Sequence, residues 1–261
     1  MDGQVVTVTK KETITPNYDA IDEYGVAIMD INGKFYNSAS AWQAAGSPTP
    51  NGVAVSDGTH RFCIAKDIVD HVCNNLIEYP DAECWGAYDK KVSGVTTAAD
   101  SATAKQDFNG VSNTDAIVAN VTSSDGAFTK APWSAAGLCH QFTFPNGSKG
   151  YLGAAGEWQM VQNSISSINT LLSAISENSI DTSTYPYYWT STQFSSTNAY
   201  RWYVGNNNCT GDSKLATGRV RAFSEIKPIT TGESKEYIVK NGMVSIPVEK
   251  NTEYTISIND K

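Results

Sequence analysis

The sequence predicts an α+β protein in which strand-forming segments flank helical segments in the middle of the chain. Apolar residues recur at three- and four-residue spacing over residues 68–77 and 158–175, which is the period of an amphipathic helix. Runs rich in valine, tyrosine and threonine at residues 5–9, 187–192 and 219–223 are typical of strands. These two kinds of pattern occupy separate parts of the chain, so they favour segregated rather than alternating elements.

Turn-forming dipeptides between apolar runs predict three hairpins. Asn-Gly pairs occur at residues 32–33 and 241–242, and an Asp-Gly pair occurs at residues 57–58. Such pairs adopt the positive backbone dihedral angles that tight hairpin turns need. A last strand is predicted over residues 254–258.

Further helices are predicted from capping residues. Residues 113–114, Asn and Thr, can cap a short helix, and Pro132 suits the first turn of another. Serines within residues 164–167 are expected to break the long apolar pattern of residues 158–175 into two helices. We therefore predict three parts: an N-terminal β segment (1–49), a central domain (50–223) and a small C-terminal β appendage (224–261).

Composition excludes several classes of partner. The chain has 261 residues and a net charge of −8, which would repel nucleic acid and anionic membrane. No stretch of 18 apolar residues predicts membrane insertion. The first four residues lack the basic and apolar regions of a secretory signal, so we expect the protein to stay where it is made, unless it is exported within a particle or a signal has been removed.

The sequence shows no carrier of catalytic or metal chemistry. Its five cysteines are widely spaced without a CxxC motif, which favours buried free thiols, although Cys209 lies in a polar loop where it can be exposed. His60, His71 and His140 do not fall at metal-ligand spacing. A nucleophile elbow and a phosphate-binding loop are also missing. We therefore predict no cofactor, no metal and no enzymatic activity.

A polar and aromatic stretch from residue 187 to residue 223 is the strongest candidate for function. It sets Phe194, Tyr200, Trp202 and Tyr203 among small polar residues, including three consecutive asparagines. Rigid aromatic area combined with adaptable hydrogen-bonding groups is typical of binding loops. An ordinary polar loop between two strands is the alternative.

Strand alternation assigns faces within this stretch. Successive side chains of a strand point to opposite sides of a sheet. We therefore predict that Tyr200, Trp202 and Val204 pack inward, and that Arg201 and Tyr203 face a ligand.

From about residue 50 to residue 223 the chain resembles C-type-lectin-fold proteins of gut bacteria and their phages, including the variable proteins of diversity-generating retroelements. Each matching segment is short, and the resemblance depends on the order in which the segments occur along the chain. The segments are GVAVSDG (52–58), RFCIA (61–65), CWGAY (84–88), FNGVSNT (108–114), GYLGAAGEW (150–158), YWTST (188–192) and RVR (219–221).

The resemblance implies a lectin-like core whose last strands present a diversified surface, which in phage tropism determinants binds a receptor on a host cell. We expect a protein or cell-surface receptor as the partner and a phage tail or bacterial surface as the location, and a homo-oligomer is left open. The implied ligand-binding residues are Gln193, Ser195, Ser196, Arg201, Tyr203, Asn206, Asn207, Asn208, Thr210 and Asp212.

The same resemblance limits which residues can vary and which activities of related families can be expected. Adenine-directed diversification of asparagine-type codons yields neither Trp nor Lys, so Trp202 and Lys214 are expected to be invariant. The EPN, QPD and WND tripeptides of calcium-dependent sugar binding are absent from the sequence. The related formylglycine-generating enzymes need a cysteine-centred metal site, which Cys209 alone does not supply.

Two alternatives to receptor binding remain. The N-terminal β segment and the appendage also suit a structural or assembly protein of a virion or surface fibre. An enzyme of the formylglycine-generating type is the second alternative.

Overall fold

The computed structural model describes part of the chain. Among the described residues the strands form three sheets, of three, five and six strands, and the fold class is α+β as predicted. The described residues are 4–66, 70–72, 85–86, 89–120, 134–183, 186–216, 218–239, 243–248 and 253–259.

The secondary structure of the described residues follows in chain order. The strands are β1 (Val5–Ile14), β2 (Val26–Asp30), β3 (Phe35–Tyr36), β4 (Pro50–Ser56), β5 (Arg61–Ile64), β6 (Asp70–Val72), β7 (Tyr151–Leu152), β8 (Tyr187–Gln193), β9 (Asn198–Tyr203), β10 (Asn208–Ser213), β11 (Gly218–Val220), β12 (Ala222–Glu225), β13 (Ile229–Ile238) and β14 (Glu253–Asn259). The helices are α1 (Tyr18–Tyr24), α2 (Ala39–Ala44), α3 (Ser101–Ala104), α4 (Gly110–Asn120), α5 (Ala135–Gln141), α6 (Ala155–Asn163) and α7 (Ile165–Ala174).

The chain divides into two compact units whose limits differ from the predicted ones. Residues 1–16 and 227–261 form the smaller unit, and residues 17–226 form the larger. Residues 17–49 therefore belong with the central domain, although the sequence placed them in an N-terminal segment. The cause is strand pairing: β1 is the middle strand of the three-stranded sheet, between β13 and β14.

The smaller unit has a small apolar core on one side of β1. Val6 and Val8 are buried there with Val239. The predicted strand over residues 254–258 is confirmed as β14. The hairpin predicted over residues 237–246 has a different outcome. Its first strand belongs to β13, which pairs with β1, and its Asn-Gly turn lies outside the described residues.

The six-stranded sheet of the larger unit has the order β3-β2-β4-β5-β12-β7. Both hairpins predicted here are confirmed: β2 pairs with β3 beside Gly33, and β4 pairs with β5 beside Gly58. Both glycines have positive φ, of 78° and 85°, which a residue with a Cβ rarely adopts.

The five-stranded sheet has the order β10-β9-β8-β11-β6 and carries the candidate site. Strands β8, β9 and β10 form an antiparallel meander, and β11 runs parallel to β8. The core between the two sheets is aromatic: the Trp158 ring on α6 lies 4.7 Å from that of Tyr188 and 5.2 Å from that of Phe223. These rings join α6 to one strand of each sheet.

The helical predictions had mixed outcomes. The expected break is confirmed, because α6 ends and α7 begins on either side of Ser164. Asn113 and Thr114 lie inside α4 and do not cap it. The helix over residues 68–77 is wrong where it is described, since Asp70–Val72 is strand β6 paired with β11. The predicted start at Pro132 lies outside the described residues, and α5 follows with Ser134 as its cap.

Among the described residues, the helices are too short or too polar to span a lipid bilayer.

Candidate binding surface

One face of β9 packs into the core, as strand alternation predicts. Tyr200 and Trp202 are buried, and so is Val204 just beyond the strand. Trp202 donates from Nε1 to Gln162 Oε1 at 3.3 Å, and Lys105 Nζ lies 5.3 Å from its ring centre. Tyr200 donates to the carbonyl oxygen of Ala98 at 3.3 Å. The inward face is therefore both filled and hydrogen-bonded.

The opposite side chains of the meander lie on one side of the sheet, which we call the outer face and in which Trp189 is fully buried. Directly paired residues of an antiparallel sheet point to the same side. Tyr203 pairs with Tyr187 and Asn208, and Arg201 pairs with Trp189 and Thr210. The outer face consists of Tyr187, Trp189, Arg201, Tyr203, Asn208, Thr210 and Asp212.

Arg201 lies at the centre of the outer face, but it is more covered than the sequence predicts. Its guanidinium carbon is 4.7 Å from the Tyr187 ring centre and 5.5 Å from that of Trp189. Its Nη2 forms an ion pair with Asp212 on the neighbouring strand. These neighbours leave its side chain 11% exposed. Arg201 therefore organises the surface from below and is not a freely projecting anchor.

Tyr203 and Tyr187 form the aromatic part of the outer face that solvent reaches. Their rings are stacked with centroids 4.6 Å apart and planes at 20°, and both residues are half-buried. Stacking fixes the ring orientations, so a ligand meets a rigid apolar platform. Tyr203 lies on the side of β9 opposite to Trp202, as strand alternation predicts, and its contact with a ligand stays a prediction. The contribution of Tyr187 was missed, although its two-residue spacing from Trp189 signals a shared face.

The loop after β9 presents its asparagines at the edge of this platform. Asn206 and Asn207 are exposed and Asn208 is half-buried. A 3-10 turn over Val204–Asn206 leads to Asn207, whose φ of 53° is one that asparagine tolerates. Gln159 on α6 donates from Nε2 to Asn207 Oδ1 at 3.2 Å. The turn therefore has a defined shape and still offers free amide groups.

The remaining predicted residues fall into two groups. Thr210 is exposed, and the Asp212 side chain is 37% exposed, so both can touch a ligand. Ser195 and Ser196 are half-buried in the turn between β8 and β9. Ser195 Oγ accepts from the backbone amides of Thr197 and Asn198, so part of its hydrogen-bonding capacity shapes the turn.

Gln193 does not belong to the surface. It is fully buried, where its Oε1 accepts from the Val92 amide at 2.9 Å and from Lys214 Nζ at 3.0 Å, and its Nε2 donates to Thr97 Oγ1 at 3.1 Å. The prediction failed because the residues that cover Gln193 come from a segment about a hundred positions earlier in the chain.

Cys209 is buried rather than exposed, on the inward side of β10 beside Trp202. Burial raises the pKa of its thiol to about 12. Across the described residues there is no group of three histidine, cysteine or acidic side chains placed to hold a metal ion.

No protein-family model, curated protein or solved structure matches the chain.

Proposed function

We propose that the protein is a non-catalytic ligand-binding display protein. In this proposal residues 50–223 form a C-type-lectin-like domain similar to the variable proteins of diversity-generating retroelements. The outer face and the asparagine loop recognise a protein or another receptor on a cell surface, and the protein is carried on a phage tail or a bacterial surface. The observation that carries the proposal is that β9 buries Tyr200 and Trp202 on one side, while Tyr203 on its other side is half-buried and stacks on Tyr187 of β8.

This division suits a surface that must change without loss of the fold. Substitutions in a packed core cost several kcal/mol, whereas exposed substitutions usually stay within about 0.5 kcal/mol. Trp202 and Tyr200 fill the core, while Asn206, Asn207 and Thr210 are exposed. Evolution can therefore vary the exposed set while the platform beneath stays the same.

The chemistry of the surface also resembles that of a binding site. A few aromatic contacts at the centre of an interface usually supply most of the binding energy, and polar neighbours at the rim exclude water. Tyr203 and Tyr187 supply the aromatic centre, and Asn206, Asn207 and Thr210 supply the rim. The ligand that fits best is a protein or another surface with an apolar patch bordered by polar groups.

Sequencing genomic copies from related isolates tests the proposal. We expect substitutions to concentrate at Tyr203, residues 206–208, Thr210 and Asp212, with Trp202 unchanged. A reverse transcriptase gene and an adenine-rich near-copy of codons 193–218 are expected nearby. Substitutions spread evenly over the chain would count against the proposal.

A binding measurement supplies the second test. The double variant Tyr203→Ser with Asn206→Ala should bind receptor-bearing cells at least about tenfold more weakly, since a central aromatic side chain is lost. Loss of the stack on Tyr187 should lower the melting temperature by only a few degrees. Ser166→Ala with Ser167→Ala, on the exposed side of α7, is the matched control. Equal loss in both variants would argue against a specific surface.

A structural or assembly role is favoured by one observation in the smaller unit. Ile256 and Ile258, two residues apart on one face of β14, are 56% and 65% exposed. Apolar side chains of this size on a small sheet are typical of contact surfaces. Replacing Ile256 and Ile258 by threonine should impair particle assembly and spare receptor binding if that unit attaches the protein.

A further inference from the structure

A separate cleft lies in the larger unit, away from the outer face in its residues and in its chemistry. It has a volume of about 330 Å³, within the range of pockets that hold small molecules. The hairpin between β4 and β5, the first turns of α4, and strands β7 and β12 line it. Six of its lining residues give the cleft its chemistry: His60, Phe108, Asp115, Tyr151, Glu157 and Glu225.

The floor of the cleft is a hydrogen-bonded carboxyl group. Tyr151 donates from its hydroxyl to Glu157 Oε1 at 2.7 Å, and the Ala154 amide donates to Oε2 at 2.6 Å. Glu157 and Tyr151 are 6% and 5% exposed. Gly110 makes this arrangement possible, because a Cβ there would overlap Glu157 Oε2 and the Tyr151 ring. The carboxyl group is therefore held in one position beneath the cleft.

One wall of the cleft is aromatic. The rings of His60 and Phe108 are stacked with centroids 3.7 Å apart and planes at 7°. Asp57 Oδ2 lies 3.1 Å from His60 Nδ1 and orients the ring. Both rings are half-buried, so they form a flat surface that a bound molecule can contact.

The charge of the cleft is negative. Glu225 and Asp115 supply this charge, and Asp115 also lies 3.8 Å from His140 Nε2. Glu157 lines the cleft too but keeps its proton near pH 7, because burial raises its pKa to about 8. The guanidinium of Arg61, which also lines it, is already bound by Asp22, with its Nε 2.6 Å from Oδ1. The carboxylates do not converge with histidine or cysteine into a three-ligand metal group within the described residues. An acidic cleft with an aromatic wall therefore suits an organic cation better than a metal ion.

We propose that this cleft binds a small organic cation with a flat apolar part, such as an aromatic primary amine. The ammonium group would lie between Glu157 and Glu225, and the apolar part would pack on the stacked rings of His60 and Phe108. Charge-assisted hydrogen bonds to the ammonium group and stacking of the flat apolar part on the rings both favour this orientation. The site shares no residue with the outer face, so it is independent of the proposed receptor function.

Binding of a cation is coupled to proton release from the floor of the cleft. Burial raises the pKa of Glu157 to about 8, and the negative charges of Asp107 and Glu225 add to this, while the bonds from Ala154 and Tyr151 oppose it. A cation beside Glu157 favours its ionised form. Proton release should therefore accompany binding near pH 7.

A titration of the full chain with benzylammonium, followed by the NMR signals of His60 and the Gly110 amide, tests the proposal. We expect saturable shifts with a Kd on the order of 1 mM. Benzyl alcohol, the neutral isostere, should bind at least about tenfold more weakly, since a charge-assisted bond is lost. Calorimetry in buffers of different ionisation enthalpy should detect the released proton.

Variants test whether benzylammonium binds in this cleft and not elsewhere on the protein. Glu225→Gln should weaken benzylammonium binding about tenfold, and Phe108→Ala should also weaken it. Asp212→Asn removes the same charge from the outer face and should leave amine binding unchanged. If Glu225→Gln does not fold, Asp115→Asn on the exposed side of α4 takes its place, with a weaker effect expected. Absence of saturable binding, equal binding of benzyl alcohol, or wild-type affinity in the variant used would overturn the proposal.

Discussion

Lys214 and Trp85 meet in a buried contact, with Lys214 Nζ 4.6 Å from the centre of the Trp85 ring. The ammonium group also donates to the Lys90 carbonyl at 2.9 Å and to Gln193 Oε1 at 3.0 Å. Trp85 in turn donates from Nε1 to the Thr190 carbonyl at 2.7 Å. Lys214 is fully buried, so a lysine beside the candidate loop serves as a structural bridge to β8.

Lys214→Ala should therefore destabilise the protein strongly. The change leaves the acceptors of Lys90 and Gln193 without this donor and opens a cavity, which together cost about 3 kcal/mol of unfolding free energy. Urea denaturation measures the loss. Leu215→Ala, at a side chain 39% exposed, is the control and should change the unfolding free energy by less than about 0.5 kcal/mol. Similar stability of both variants would contradict the bridging role.

Arg201 should act through its planar packing more than through its charge. Arg201→Ala removes contacts with two rings and an ion pair, and we expect a loss of about 1–2 kcal/mol in unfolding free energy. Arg201→Lys keeps the charge but not the flat guanidinium, so it should recover only part of the loss. Asp212→Asn should cost less than about 1 kcal/mol. Denaturant unfolding of the three variants gives the comparison, and full stability of Arg201→Lys would refute the packing argument.

Replacement by alanine should lower the unfolding free energy strongly at Gly52 and only slightly at Gly211. A Cβ at Gly52 would overlap the Ile64 carbonyl oxygen and approach Cys63 Sγ to 2.8 Å, so Gly52→Ala should cost about 3 kcal/mol. A Cβ at Gly211 would meet the half-exposed Phe194 ring at 3.1 Å, and this ring can move. Gly211→Ala should therefore stay within about 1 kcal/mol of wild type. Thermal unfolding distinguishes them, and equal melting temperatures would contradict the prediction.

Glu157 should make the folded protein less stable as pH rises. Burial raises the pKa of Glu157 from 4.5 to about 8, so the folded state holds a proton in this window that the unfolded chain has lost. The unfolding free energy therefore falls with rising pH by up to ~1.4 kcal/mol per pH unit, with no cost below pH 4.5 and the full cost above pH 8.

Glu157→Gln removes this titration and keeps an acceptor for the Ala154 amide. Its unfolding free energy, measured in urea at several pH values between 5 and 8, should be flatter than that of wild type. Glu23→Gln, at an exposed position on α1, is the matched control. Parallel profiles for wild type and Glu157→Gln would show that Glu157 is not responsible.

The buried thiols should resist alkylation in the folded protein. Burial raises the pKa of Cys63 and Cys209 to about 12 and that of Cys139 well above its ordinary value. Because the thiolate is the reactive form, iodoacetamide at pH 8 should leave these three residues unmodified until guanidinium is added. Peptide mass spectrometry measures each site. Rapid labelling of Cys209 in the native protein would contradict its burial.

Several features could be predicted from sequence because their causes are local. The two-residue alternation of β9 placed Trp202 inside and Tyr203 outside, since side-chain direction is a property of the strand itself. The hairpin turn at Gly33 and the helix break at Ser164 follow from the residues at and next to those positions. In each case the deciding atoms lie within a few positions of one another.

Other features depend on contacts between distant segments. Asp70–Val72 has the apolar spacing of a helix, yet it forms strand β6 because β11 offers hydrogen-bonding partners. Gln193 is polar and was therefore predicted to lie on the surface. Only its contacts with Val92 and Lys214 in the folded chain reveal that it is buried. The cleft above Glu157 was not predicted, because its residues come from separate parts of the chain.

The sequence by itself determined the α+β class, the hairpins at Gly33 and Gly58 and the alternation of side chains along β9, because short-range periodicity and turn chemistry control them. Tertiary structure alone decided that β1 joins the C-terminal strands, that Arg201 packs against two rings, and that Tyr187 stacks on Tyr203. The physical reason is that burial depends on which residues exclude water from a side chain. Many of these residues are distant in sequence, and local sequence patterns do not specify which of them come together.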